Sequence, residues 1–143
     1  MRVLFVCTGN TCRSPMAEAM LKHKQENWEI KSAGVFAAEG SSASEQTKSV
    51  LLEKGISIDH LSQRVSQELI DWADVILTMT NSHKQVLADL YPPATEKIHV
   101  LNEFVEGEAR DVADPFGGTI DEYRQTYLEL DQLIHQLIKK YSN

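Results

Sequence analysis

The chain opens on Val3-Leu4-Phe5-Val6, a continuous apolar run rich in β-branched residues. A run of this kind reads as a strand covered on both faces, as in parallel sheets flanked by helices. It stops at Cys7, and Thr8-Gly9-Asn10-Thr11-Cys12-Arg13 leads directly into Ser14-Pro15, where a helix can start with serine at its cap and proline in its first turn. Met16, Ala17, Met20 and Leu21 then form one apolar stripe. The same strand, loop and helix rhythm continues, with a strand over residues 28–34 ending at Gly34 and a helix over 44–54 stopped by Gly55. A short helix over 67–73, a strand over 75–78, a helix over 81–90 ended by Tyr91-Pro92-Pro93 and a last strand over 98–101 follow. Beyond Gly117-Gly118, Ile120, Tyr123, Tyr127, Leu130, Ile134, Leu137 and Tyr141 recur three and four apart, the stripe of a long closing helix. Alternating β and α segments predict an α/β fold, a single-domain three-layer sandwich with a central four-stranded parallel sheet and helices on both faces.

At 143 residues the chain is expected to form one domain over 1–143, with a core large enough to stand alone. No apolar run approaches the roughly eighteen residues of a membrane span. Met1 runs directly into the first strand without the features of a secretory signal, so a cytoplasmic protein with no membrane partner is expected. Cys7 and Cys12, the two cysteines, are too few for a disulfide framework or a zinc site, and reduced thiols are the expected state. A net charge of −7 argues against nucleic acid as a partner, so any affinity for an anion has to be local. A monomer is expected.

That local site is the loop from Cys7 to Arg13. Ligands of open α/β sheets bind outside the carboxyl ends of the strands, where the first strand delivers Cys7. A short polar loop between a strand and a helix N-terminus can curl so that several backbone N–H groups converge on an anion. Gly9 permits close approach, Asn10 tolerates a left-handed conformation, and the planar fork of Arg13 matches two phosphate oxygens. A helix N-terminus, an arginine and nearby hydroxyls favour the thiolate of a cysteine over its thiol, which would make Cys7 a nucleophile rather than an inert buried residue. Ser14 either donates to that sulfur or caps the helix. The loop after the last strand carries Asp114-Pro115-Phe116 to the same sheet edge and offers a carboxylate for proton transfer. Asp111 is a second carboxylate nearby, and the Pro-aromatic continuation favours Asp114. Phe116 and Phe36 either wall a substrate slot or anchor their loops on the core. Cys12 is either filler beneath the loop or a partner that caps an oxidised Cys7 as a disulfide.

The run Val6-Cys7-Thr8-Gly9-Asn10-Thr11-Cys12-Arg13-Ser14-Pro15 resembles the signature of low-molecular-weight protein tyrosine phosphatases. Asp114-Pro115 resembles their acid motif, and Ser32-Ala33-Gly34 and Asp59-His60 match further segments in order. The resemblance spans the whole chain. It implies a double displacement in which Cys7 forms a phosphocysteine, Arg13 and the loop residues Thr8, Gly9, Asn10, Thr11, Cys12 and Ser14 hold the phosphate, and Asp114 acts as acid and then base. It further implies that Asn10, Ser32 and His60 support the loop by hydrogen bonds, and that neither metal nor cofactor takes part. The implied partners are phosphorylated proteins.

Two departures bear on the substrate. Thr11 stands where the family usually has a larger aliphatic residue, and Phe116-Gly117 stands where animal members have two tyrosines. Together with Cys7 to Arg13 and Asp114-Pro115-Phe116-Gly117-Gly118, these residues resemble the protein-arginine phosphatases of Gram-positive bacteria. Phosphoarginine is the favoured substrate and phosphotyrosine the alternative. A phosphoguanidinium offers N–H donors that Thr11 and Asp114 can meet. Arsenate reductases of similar fold need further cysteines that this chain lacks. A non-catalytic phosphoprotein-binding module would have no use for both Cys7 and Asp114.

Overall fold

The structure, a computed structural model, describes residues 1–141. Strands β1 (Arg2–Cys7), β2 (Glu29–Gly34), β3 (Val75–Thr78) and β4 (Ile98–Val100) form one parallel sheet in the order β2-β1-β3-β4. In β1 the side chains alternate between two apolar clusters, with Val3, Phe5 and Cys7 in one and Leu4 and Val6 in the other. Both faces are covered, which is why the strand is apolar throughout instead of alternating with polar residues. The first cluster packs β1 against α1 (Arg13–Lys24), α2 (Glu45–Glu53) and α6 (Ile120–Tyr141) through Met16, Met20, Leu51, Tyr123, Leu130 and Ile134. On the opposite face Leu69, Ile70 and Leu87 cover the sheet from α3 (Gln67–Trp72) and α4 (Asn81–Leu90). This is the three-layer architecture expected.

The chain moves from β1 outward to β2, then passes to the other side of β1 to form β3 and β4. The order of strands therefore reverses beside β1, and such a switch point opens a crevice at the carboxyl edge. Cys7 ends β1 there, in register with Gly34, the last residue of β2. Gly34 has no room for a side chain: a Cβ would lie 2.5 Å from the Thr8 carbonyl oxygen and 3.0 Å from the Asn10 nitrogen.

The last strand is shorter than expected. It ends at Val100, and Leu101 opens a further helix, α5 (Leu101–Glu106), closed by Gly107 in the left-handed conformation (φ 78°). Leu101 is fully buried, so its apolar character suits a strand end and a helix start equally. Six residues are too few to display a helical period. The helix over 44–54 is present as Glu45–Glu53, with Ser44 as the cap accepting from Thr47 N–H. The stripe on α6 is buried at Tyr123, Tyr127, Leu130, Ile134 and Leu137. Among the described residues no helix is long and apolar enough to cross a membrane.

Gly34→Ala is expected to force the Thr8 and Asn10 backbone aside and to destabilise the protein by about 1–3 kcal/mol, the usual cost of overpacking. Urea denaturation measures this, and an unchanged midpoint would mean that the loop has slack at this point.

Candidate active site

The loop between β1 and α1 is held from outside by its carbonyl groups. The Cys7 and Thr8 carbonyls accept from Val35 and Phe36 N–H, both at 3.0 Å, and that of Thr11 accepts from Ser44 N–H at 2.9 Å. The Asn10 carbonyl accepts from His60 Nε2 at 2.8 Å, and that of Cys12 from Met16 N–H inside the first turn of α1. In a planar trans peptide the N–H points opposite to the C=O. Tying these five carbonyls outward therefore turns the N–H groups of Thr8, Gly9, Thr11, Cys12 and Arg13 toward the inside of the loop. The result is a concave set of donors at the start of a helix, which suits an anion.

Asn10 sets this curvature. Its φ of 56° makes it the one non-glycine residue with positive φ among those described, and it is fully buried. Its side-chain oxygen accepts from Gln63 N–H at 3.0 Å. Its amide nitrogen donates to Ser14 Oγ and to Ser32 Oγ, each at 2.9 Å. Ser32 in turn donates to Glu18, whose carboxylate also lies 3.9 Å from His60 Nδ1. Asn10, Ser32 and His60 thus lie together behind the loop.

Ser14 is not the cap of α1. The helix begins at Arg13, the cap position falls on Cys12, and no side chain caps it. Ser14 lies within the first turn, and its Oγ is 2.8 Å from Cys7 Sγ. Because that oxygen already accepts from Asn10, its own proton is free to go to the sulfur. The helix has no side-chain cap because the loop itself supplies the surroundings of its N-terminus.

Arg13 is buried, with 4% of its surface exposed. Its Nη1 donates to the Val112 carbonyl at 2.9 Å, and Nη2 lies 3.5 Å from both Asp114 Oδ2 and Thr8 Oγ1. Val112 N–H donates to the Met79 carbonyl just beyond β3, so the acid loop is pinned to the sheet and to Arg13 by one residue. The two carboxylates of this loop part company here. Asp111 Oδ1 accepts from Asn81 N–H at the start of α4, whereas Asp114 faces Arg13 and closes a turn by accepting from Phe116 N–H.

Cys7, Thr8, Gly9, Thr11, Cys12, Arg13, Asp114 and Phe116 line one cleft of about 200 Å³. Phe116 stands at its mouth, 76% exposed. Phe36 is equally exposed and is absent from the lining, so neither ring anchors its loop on the core. Cys7 and Cys12 are free thiols, and Cys12 Sγ lies 3.4 Å from the hydroxyl of Tyr123. Burial, then the contact with Cys12, pushes that phenol up to about 12, so it keeps its proton. Among the described residues no group of three His, Cys, Asp or Glu side chains could hold a metal ion.

Sequence reasoning missed Glu18, Gln63, Tyr123 and His83. Glu18 follows Ser14 by four residues on α1 and so shares its face, the one local signal available. Gln63 and Tyr123 reach the loop only through the tertiary fold. His83, on the first turn of α4, is 5% exposed and places Nε2 2.8 Å from Thr8 Oγ1.

Burial, reinforced by the Arg13 guanidinium, pushes His83 down to about 4, against an opposing pull from Asp111 and Asp114. An unfolded chain takes up a proton on histidine near pH 6.5. The stability that the neutral ring contributes is therefore complete above about pH 6.5 and is lost as pH falls from there toward about 4, where the unfolded state binds a proton that the folded state refuses. Replacement by glutamine, His83→Gln, should make the fall in urea midpoint over this window shallower, and identical slopes in the two proteins would place the ring in water.

Residues 2–143 match the family model of the low molecular weight phosphotyrosine protein phosphatases. A protein-arginine-phosphatase of Geobacillus stearothermophilus is 54% identical over 140 residues, covering 97% of this chain and 95% of the relative. A low molecular weight protein-tyrosine-phosphatase, PtpB of Staphylococcus haemolyticus, is 44% identical, covering 96% of this chain and 97% of the relative. Among solved structures, a cysteine-to-serine mutant of YwlE arginine phosphatase with a phosphorylated active-site serine superposes with a TM-score of 0.96 at 45% identity, covering 98% of this chain and 95% of the other. The chain belongs to the low molecular weight phosphotyrosine protein phosphatase family.

Proposed function

We propose that the chain is a protein-arginine phosphatase that works through a phosphocysteine. The observation that carries the chemistry is the meeting of Cys7, Arg13 and Asp114 around one cleft. The phosphoryl group sits on the loop amides with two of its oxygens on the fork of Arg13, and the Cys7 thiolate attacks phosphorus as the P–N bond breaks. Asp114 gives its proton to the departing guanidine nitrogen. This transfer is close to obligatory, because guanidine leaving as an anion is far less stable than phenolate: phenol ionises at about 10, while even guanidinium holds its proton to above roughly 12. In the second half Asp114, now a carboxylate, takes a proton from water as the water oxygen attacks phosphorus. The S–P bond breaks, inorganic phosphate leaves, and the thiolate returns. Ser14 stabilises that thiolate at both ends of the cycle by donating to the sulfur. Asn10, Ser32 and His60 maintain the loop without chemistry of their own.

The choice of phosphoarginine rests on Thr11 in the cleft lining and on two relatives named protein-arginine-phosphatase, at 54% and 46% identity. A relative at 44% named for tyrosine dephosphorylation keeps phosphotyrosine as the second reading. We place the enzyme in the cytoplasm as a monomeric single domain. Cys7 and Cys12 are free thiols, which suits a reducing compartment. Its partners are phosphorylated proteins, and its net charge of −7 disfavours nucleic acid.

Matched phosphoarginine and phosphotyrosine peptides test the assignment, with the higher kcat/KM expected for phosphoarginine. Thr11→Ile should cost phosphoarginine roughly five- to 150-fold, the equivalent of about 1–3 kcal/mol for a buried N–H left unpaired, while phosphotyrosine turnover holds or rises. Parallel changes in the two constants would remove Thr11 as the selector.

A further inference from the structure

Thr8 lines the cleft, and its hydroxyl oxygen stands between Arg13 Nη2 at 3.5 Å and His83 Nε2 at 2.8 Å. A hydroxyl has one proton to give and two lone pairs. The direction of its proton decides whether Thr8 is a donor toward the phosphate or is spent on the wall behind, and that direction is set by the form of the His83 ring. The other ring nitrogen, Nδ1, is buried and has no partner.

With the hydrogen on Nδ1, a buried N–H would stand without an acceptor, and Nε2 would consume the Thr8 proton. With both nitrogens protonated, the same orphan N–H would carry charge in a buried position near Arg13. With the hydrogen on Nε2, the ring donates to Thr8 and leaves only a bare lone pair at Nδ1, the least costly group to leave unmatched. Thr8 then has both lone pairs engaged, by Arg13 and His83, and its proton is left to point into the cleft. The neutral state agrees with the depressed affinity of this ring for a second proton.

We propose that His83 is a positioning residue: as a neutral donor from Nε2 it turns the Thr8 hydroxyl into an additional hydrogen-bond donor to the bound phosphoryl group. The proposal rests on the phosphatase reading. It gives α4, which contributes nothing to the cleft lining, a part in holding the phosphate.

A double-mutant cycle tests it. Thr8→Val and His83→Leu, each alone, should lower kcat/KM for a phosphoarginine peptide by roughly ten- to a hundredfold, the range of one hydrogen bond to a charged group. In the Thr8→Val background His83→Leu should cost less than about twofold, because the hydroxyl it orients is already gone. His83→Gln, which keeps an N–H donor of similar reach, should recover part of the loss. Equal losses from His83→Leu in both backgrounds would make His83 a packing residue and overturn the proposal. If His83→Leu does not fold, histidine side-chain 15N NMR of the wild-type protein decides: hydrogen on Nε2 is the expected result, and hydrogen on Nδ1 contradicts it. Absence of wild-type turnover would sink the phosphatase reading instead, and the same cycle would then be read on the affinity for inorganic phosphate.

Discussion

Everything at the carboxyl edge of the sheet depends on one buried asparagine in a left-handed conformation. A backbone with positive φ costs most side chains on the order of 1 kcal/mol or more, and Asn10 offsets this by satisfying its whole amide with Gln63, Ser14 and Ser32. The turn it makes sends its own carbonyl outward to His60 and the neighbouring amides inward. The same amide nitrogen occupies a lone pair of Ser14, which is what frees the Ser14 proton for Cys7. Loop curvature and the orientation of the Ser14 hydroxyl toward Cys7 therefore both pass through a single side chain.

The sheet adds the second constraint. Because the order reverses beside β1, the loop after β1 and the segment after β3 face each other at one edge, and Met79 can hold Val112 while Arg13 holds its other side. The acid loop carries few regular hydrogen bonds of its own, yet Asp114 is positioned because the residue two before it is clamped. Gly34 closes the opposite wall, where β2 passes so near Thr8 that even a methyl group would collide.

Much of this was legible in the sequence for a physical reason. Buried parallel strands need unbroken apolar runs, helices need stripes, and a phosphate loop needs glycine, asparagine and arginine at short spacing, so β1, α1, α6 and the Cys7 to Arg13 loop announce themselves locally. Ser14 was ambiguous because serine before proline suits a cap as well as a buried donor, and only the start of the helix at Arg13 separates the two. The short helix α5 left no period to read. Glu18 shares a face of α1 with Ser14, whereas Gln63, Tyr123 and His83 act at sequence separations that no local pattern encodes: His83 reaches Thr8 across 75 positions and Tyr123 reaches Cys12 across 111. Phe36 looked equivalent to Phe116 as an aromatic in a loop beyond a strand, but only Phe116 joins the cleft.

The central claim is that the phosphoryl group passes through the sulfur of Cys7. Rapid alkaline quench of the wild-type protein mixed with a labelled phosphoarginine peptide, which preserves both P–N and S–P bonds, followed by peptide mapping at mildly alkaline pH, tests this most directly. The account predicts label on the peptide carrying Cys7, formed before inorganic phosphate appears and absent from Cys7→Ala. Phosphate release with no labelled protein at any quench time, or release that persists in Cys7→Ala, would contradict it.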